Sequence, residues 1–154
     1  MSEIPDVLSR LPHRAPFVLV DRVTVSEPGS RAEGYKLVAH NEPYLQGHFP
    51  GHPVLPGVLQ IEAMAQLAAF AIEADASDPG GSGLVMLAGV DGARFRRAVV
   101  PGDRLDLRVE VVTKRERLWK VKGRGEVAGQ RACEAEILLV RAPAPNVKAG
   151  AQTS

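Results

Sequence analysis

The chain has 154 residues, a length that suits one domain with a substantial core. Hydrophobic residues make up 45% and charged residues 24% of the sequence, as in an ordinary globular protein. The formal net charge of +1 gives no reason to expect a nucleic acid or a membrane as a partner. The N-terminus does not have the pattern of a secretory signal, and no stretch has the ~18 apolar residues of a membrane span.

The sequence contains a single cysteine, Cys133. A lone thiol cannot form an internal disulfide, which favours a reducing compartment, and we therefore expect a cytoplasmic protein. Cys133 could serve as a nucleophile, but we interpret it as a small buried hydrophobic residue in a strand.

The first third of the chain is predicted to contain two strands and a long loop. Residues 3–10 are interpreted as a short helix. β-Branched residues indicate strands over 17–25 and 31–40, with a turn at "EPGS" between them. Residues 41–56 hold too many glycines and prolines for the interior of a helix or a strand, so we expect a loop there.

The best helix candidate runs from Gly57 to about Glu73. No proline interrupts it, and residues with high helix propensity dominate. Its apolar residues surround the helix axis instead of forming a stripe, which is typical of a helix that is buried on most sides. The polar residues within it, Gln60, Glu62 and Gln66, therefore require an explanation.

The remainder of the chain is predicted to be antiparallel β-structure. "LVMLAGV" and "ARFRRAVV" read as two separate segments, and three longer strands with alternating apolar residues follow. Glycines in "RLWKVKGRGEVA" are interpreted as bulges or as places where the strand must be thin. The residues that alternation places on the inner face are Leu105, Leu107, Val109, Val111, Trp119, Val121, Val127, Cys133, Ala135, Ile137 and Leu139.

One buried helix and one long antiparallel sheet favour an α+β fold in which the sheet curls around the helix. We expect residues 1–141 to form this single domain. A lone sheet leaves much of such a helix uncovered, so we also expect a second subunit. Residues 142–154 are poor in apolar residues and are predicted to be a disordered tail.

Two histidines lie among glycines and prolines in "GHFPGHP". His48 and His52 have the spacing of a helical metal pair, but the intervening residues exclude a helix and no third ligand is near, so we expect no metal. His48 could be a general base, because histidine titrates near neutrality, or a structural loop residue. For His52, which precedes Pro53, we favour the structural role.

Glu62 lies in the helix that is predicted to be buried. Burial disfavours the charged form of a carboxylate, so a buried Glu62 could donate a proton near neutral pH. The alternative is a glutamate that faces solvent or pairs with an arginine.

Gln66, one turn later, could form a hydrogen bond with Glu62 or serve as an interface amide. Gly57 opens the helix, where free N–H groups could hold a carbonyl oxygen that gains negative charge.

A base, a buried acid and an oxyanion donor together suit abstraction of a proton α to a carbonyl, with loss or gain of a group at the β carbon.

The sequence also resembles the 3-hydroxyacyl-(acyl-carrier-protein) dehydratases of the FabZ type. The resemblance lies in three blocks that occur in the family's order: "LPHRAPFVLVDRV", "GHFPGHPVLPGVLQIEAMAQ" and "AGVDGARFRRAVVPGD". The resemblance covers most of residues 11–113. It implies a hot-dog fold, in which a long central helix is wrapped by an antiparallel sheet, and homodimers that often assemble as trimers of dimers.

The resemblance also implies roles for individual residues. The catalytic histidine of the family falls on His48 and the catalytic acid on Glu62, supplied by different subunits, so that each active site is shared. The amide that polarises the thioester carbonyl falls on Gly57, and we expect Gly57, Val58 and Gln66 to contact the substrate. The implied reaction converts a 3-hydroxyacyl thioester to a trans-2-enoyl thioester in fatty-acid biosynthesis, without a metal or a redox cofactor.

The acyl chain would arrive on the phosphopantetheine of acyl carrier protein, an acidic partner. We expect Arg94, Arg96 and Arg97 to bind it, with Arg94 and Arg96 on one strand face; the alternative is a solvated strand face. The sequence departs from the family at Val85 and Met86, where many relatives carry tyrosines.

Two other functions are compatible with this fold, because a fold does not determine a function. A thioester hydrolase would need a carboxylate or base that directs water at the carbonyl. A non-catalytic subunit would bind acyl carrier protein or pair with an active paralogue, but such a protein has little reason to keep both His48 and Glu62.

Overall fold

The computed structural model describes residues 1–4, 6–75 and 83–143. The helices are α1 (Gly57–Glu73) and two short 3-10 turns, Val7–Ser9 and Pro43–Leu45. The strands are β1 (Ser2–Ile4), β2 (Arg22–Glu27), β3 (Arg31–Leu37), β4 (Gly83–Phe95), β5 (Arg104–Arg115), β6 (Leu118–Val127) and β7 (Gln130–Pro143).

The seven strands form one sheet in the order β1-β2-β3-β5-β6-β7-β4, and every neighbouring pair is antiparallel. The helix α1 contacts the strands from β2 across to β4, so the sheet curls around it. The predicted α+β arrangement is therefore confirmed. The edges of the sheet are β1 and β4.

The core lies between α1 and the inner face of the sheet. Met64, Leu67 and Ala68 of the helix are fully buried against it. The predicted inner face of β5, β6 and β7 is confirmed: every residue assigned to it is buried except Val111, which is half-buried. Each large side chain buried in this way contributes ~1.5–3 kcal/mol, so the close approach of sheet and helix stabilises the fold.

Two glycines of β6 lie where a side chain would not fit, and the first of them allows the helix to approach the sheet. A Cβ atom at Gly123 would lie 2.7 Å from the sulfur of Met64 on the helix. A Cβ atom at Gly125 would lie 2.7 Å from the sulfur of Cys133 on β7, and the register of the two strands shifts next to it. As predicted, the glycines occupy positions of the strand that have no room for a side chain, and a bulge lies next to Gly125.

Cys133 is fully buried, which confirms its interpretation as a small core residue. Burial raises the pKa of its thiol to about 11. Because the thiolate is the reactive form, a thiol with this pKa is a poor nucleophile at neutral pH.

Four predictions about elements were wrong in part. Residues 3–10 do not form one helix: β1 pairs with the exposed edge of β2, and a 3-10 turn follows, capped by the carboxylate of Asp6. The strand predicted over 17–25 begins only at Arg22, and the strand predicted over 31–40 ends at Leu37. The segments predicted over 84–90 and 93–100 are joined in the single strand β4, because register shifts absorb the glycines that seemed to end it, but the strand stops at Phe95 and does not include residues 96–100.

The strand β7 continues through Pro143, two residues past the predicted domain end, where Pro143 pairs with Gly83. The rest of the predicted tail, 144–154, lies outside the described residues, as does most of the loop predicted after α1. Within the described part of the chain, no helix has the length and apolar character needed to cross a bilayer.

Gly34 in β3 leaves no room for a methyl group. A Cβ atom there would lie 2.3 Å from the backbone oxygen of Arg22 and 3.1 Å from Leu67. Because the new methyl group could be accommodated only by displacing the backbone of a paired strand, we expect Gly34→Ala to lower the free energy of unfolding by about 1–3 kcal/mol. Urea denaturation at fixed protein concentration measures the change.

The matched control is Gly47→Ala, because no atom lies within 4 Å of a Cβ placed at Gly47. Its effect should stay within about 0.5 kcal/mol. Equal losses in the two variants would contradict the steric explanation.

Candidate active site

His48 lies in a loop that is held by its own backbone. Phe49 and His52 exchange two N–H···O bonds of 2.9 and 2.8 Å, and the N–H of Val54 donates to the oxygen of His48 at 2.8 Å. Gly51 takes a left-handed φ of 72°, which favours glycine. The His48–Phe49 peptide bond is cis, and the two rings stack with centroids 4.2 Å apart. The glycines and prolines of the motif therefore build a rigid support for one imidazole.

The same loop determines the tautomer of His48. Nδ1 of the ring lies 2.7 Å from the carbonyl oxygen of Val54. A carbonyl oxygen can only accept, so Nδ1 must carry a proton. In the neutral ring the lone pair is then on Nε2, which is the atom that a general base uses. His52 is exposed and contributes to the loop through its backbone, in agreement with the structural role predicted for it.

Gln66 joins α1 to the segment that precedes β2. Its side chain is 2% exposed. Its Oε1 accepts from the N–H of Leu19 at 3.0 Å, and its Nε2 donates to the oxygen of Phe17 at 2.8 Å and to Oε1 of Glu62 at 3.1 Å. The predicted bond to Glu62 is therefore present. These bonds hold residues 17–19, which precede β2, against α1.

Glu62 is less buried in the single chain than we predicted. Its side chain is 20% exposed, because its side of α1 faces a cavity and not the sheet. Nε2 of His13 lies 3.2 Å from Oε1 of Glu62, the oxygen that also accepts from Gln66.

His13 is a site residue that the sequence analysis missed. Its Nδ1 is buried and has no hydrogen-bond partner among the described residues. The available signal was its place in "LPHRAPF", the first block of the family resemblance, where no role was assigned to the histidine.

The cavity beside Glu62 has a volume of about 620 Å³. It lies between α1, residues 10–13 and the edge strand β4. Its wall on β4 includes Val85 and Met86, the two positions that depart from the family pattern. On α1, Ala65, Gln66 and Ala69 continue the wall away from Glu62. A second groove of about 750 Å³ lies on the outer face of the sheet, among charged residues away from this site.

The N-terminus of α1 has no side-chain cap, since Pro56 occupies the N-cap position. A Cβ atom at Gly57 would lie 2.7 Å from the ring of Phe95, which explains the glycine by close packing. The side chain of Val58 is 73% exposed. The first N–H groups of the helix are thus not bonded by a capping side chain and suit an anionic oxygen.

The single chain brings together only part of the predicted site. Glu62, Gln66 and His13 line one cavity, whereas His48 and Gly57 are not among the residues that line it. Within the described residues, no group of three or more His, Cys, Asp or Glu side chains is arranged to hold a metal.

The three arginines predicted to bind a carrier protein differ in their partners. Arg96 bonds Glu134 at 2.7 Å, and Arg97 lies 3.6 Å from Asp103. Hydrogen bonds from Arg96 and Arg131 lower the pKa of Glu134. Arg94 donates to a backbone oxygen and makes no ion pair with a described carboxylate. β4 ends at Phe95, so strand alternation does not extend to Arg96.

Comparison with known proteins identifies relatives along most of the chain. The FabA-like domain model matches residues 11–136. The chain is 52% identical over 140 residues to the 3-hydroxyacyl-(acyl-carrier-protein) dehydratase FabZ of Chloroflexus aggregans, covering 90% of this chain and 95% of the relative. It is 52% identical over 137 residues to the protein of the same name from Myxococcus xanthus, covering 88% and 89%.

A solved structure shares the fold. The dehydratase heterocomplex ApeI:P from Xenorhabdus doucetiae superposes with a TM-score of 0.69 at 22% identity, over 88% of this chain and 90% of that chain. The arrangement of one helix within an antiparallel sheet is thus common to both.

The amide of Gln66 provides a test of this site. Gln66→Leu leaves Leu19 N–H and Phe17 C=O without their partners, so we expect the free energy of unfolding to fall by about 1–3 kcal/mol. Hydrogen exchange at the Leu19 amide should become faster.

Gln60→Leu is the matched control, since Gln60 is as buried, makes one bond to Leu55 and has an oxygen without a partner among the described residues. It should cost less than Gln66→Leu. A larger loss for Gln60→Leu would contradict the assigned bonds.

Proposed function

This chain belongs to the FabA-like family, and we propose that it dehydrates 3-hydroxyacyl thioesters carried on acyl carrier protein to trans-2-enoyl thioesters. The observation that carries the proposal is the bond from His48 Nδ1 to Val54, which leaves Nε2 of His48 free to act as a base. The identity of 52% to relatives named as such dehydratases supports the same reaction.

The chemistry needs one base, one acid and one oxyanion donor. Nε2 of His48 takes the α proton, and the thioester oxygen gains negative charge as the enolate forms. The N–H of Gly57, at the positive end of α1, stabilises that oxygen. Glu62 gives a proton to the β-hydroxyl group, the C–O bond breaks, and water leaves as the C=C bond forms. The proton on His48 then returns to Glu62, directly or through water, before the next turnover.

We also propose that the active site is completed by a second copy of the chain. β4 is a 13-residue edge strand, and its exposed side chains include Leu84, Met86 and Val90. A long apolar edge favours association with another strand unless it is covered. A dimer formed along β4 would cover this edge and bring His48 of one subunit to the Glu62 cavity of the other. Assembly into trimers of dimers is a further part of this proposal.

The proposed carrier-protein surface includes Arg94, Arg96 and Arg97. Arg94 is the strongest candidate, because nearby carboxylates offset the charges of the other two. An acidic carrier would be attracted to this surface, and the attraction should weaken as salt is added. The reaction as proposed uses no metal or redox cofactor and takes place in the cytoplasm.

The first test uses purified protein and 3-hydroxyacyl thioesters of short and long chain on acyl carrier protein. Mass spectrometry follows the enoyl product. We expect His48→Ala and Glu62→Ala to lower kcat by about 10²–10⁴-fold, as is typical when a general base or acid is lost. Circular dichroism checks that each variant is folded.

His52→Ala is the matched control, because His52 is exposed in the same loop and should be dispensable. A wild-type protein without turnover on any chain length would overturn the proposal and favour a carrier-binding subunit. Release of free acid and thiol would instead indicate a thioester hydrolase.

A mixing experiment tests the shared site. A heterodimer of His48→Ala and Glu62→Ala subunits contains one intact His48–Glu62 pair if the two residues come from different subunits. After subunit exchange, an equal mixture should regain about a quarter of wild-type activity, since half of the dimers are mixed and each has one intact site of two. Activity that stays at the level of the separate variants would contradict a site formed across subunits.

A further inference from the structure

We propose that His13 is a positioning residue for Glu62: it acts as a neutral hydrogen-bond donor and thereby confines the acid proton to Oε2 of Glu62. The inference rests on the proposed dehydratase function, in which Glu62 is the acid. It concerns a histidine to which the family resemblance assigned no role.

The first step concerns Gln66, whose orientation is determined by its partners. The N–H of Leu19 donates to the side-chain oxygen of Gln66, and the oxygen of Phe17 accepts from its nitrogen. The amide cannot be turned over without breaking both bonds. The group that faces Glu62 is therefore the Gln66 N–H donor, 3.1 Å from Oε1.

The second step concerns the two oxygens of Glu62. Oε1 accepts from Gln66, and Nε2 of His13 lies 3.2 Å from the same atom. In a protonated carboxyl group, the carbonyl oxygen is the better acceptor and the other oxygen bears the hydrogen. With two donors at Oε1, the proton belongs on Oε2.

The third step concerns the charge of His13. An imidazolium would place a hydrogen on Nδ1, which is buried and has no partner among the described residues. An unmet buried donor costs free energy of folding, and the cost is larger when the donor is charged. The neutral ring with its hydrogen on Nε2 avoids this cost and still donates to Glu62.

The charged residues nearby do not supply the acceptor that Nδ1 of His13 would need. Arg10 lines the cavity with His13, and Arg14 follows in the chain with its guanidinium bonded to the oxygens of Leu11 and His13. Both side chains are donors only, so neither offers an acceptor to Nδ1 of His13. On α1, Glu73 lines the same cavity, but it lies ~16 Å along the helix axis from Glu62. The cavity-lining residues of β4 and β7 carry no titratable side chains.

The proposal can be tested without substrate. In protein with ¹⁵N-labelled histidine, NMR shifts of His13 at pH 7 should show a protonated Nε2 and a bare Nδ1. Shifts of an imidazolium at pH 7 would overturn the inference, whether or not the protein is a dehydratase.

Kinetics then test the positioning role. His13→Leu removes the donor, so kcat should fall about 10- to 100-fold with little change in KM, as expected when a reacting group is misplaced. Loss of a donor to the carboxylate also makes its ionised form less favourable, so the basic limb of the kcat profile should move to higher pH. His13→Gln keeps a neutral N–H donor and should restore most of kcat and the wild-type profile.

His40→Gln is the matched control, since His40 is exposed and does not line the cavity. Wild-type kcat in His13→Leu would overturn the inference. So would a His13→Gln profile that moves as far as that of His13→Leu, because it would mean that His13 acts through a positive charge. If His13→Leu does not fold, the NMR shifts of the wild-type protein and the kinetics of His13→Gln still test the inference.

Discussion

The structure depends on the amide of Gln66, which must be fully bonded because it lies inside the core. Its three bonds connect α1 to the chain before β2 and to Glu62. A buried amide without partners would destabilise the fold, and residues 17–19 supply two of the partners that Gln66 needs. The same bonds orient the proposed acid. One polar side chain in an apolar helix thus links stability to the geometry of the site.

Much of the fold follows from local patterns. The bounds of α1 agree with prediction because no proline interrupts the segment and its residues favour a helix. The strands β5, β6 and β7 follow from alternation, since one face is buried throughout. β4 was divided wrongly, because bulges that accommodate Gly89 and Gly92 cannot be inferred from alternation. Whether a helix position faces the sheet or a cavity also depends on tertiary contacts, and for this reason the exposure of Glu62 was missed.

The two proposed site residues are held by contacts at different separations along the chain. His48 is held by contacts within its own loop, the furthest being to Val54, so a short motif suffices to predict it. Glu62 is held partly by His13, a residue that is distant in the chain. Spacing within a motif carries no information about such a contact. The loop that holds His48 could therefore be predicted, whereas Glu62 could be predicted only as a residue type in a helix.

The position of β4 has a consequence for when chemistry can begin. The strand is both the unpaired edge of the sheet and one wall of the Glu62 cavity. In the proposed dimer, the event that protects the edge from aggregation is also the event that supplies the base. A newly made chain would then carry an acid and a base that cannot meet until it finds its partner. Reactive thioesters would be processed only by assembled protein, and quality control of folding would coincide with the onset of activity.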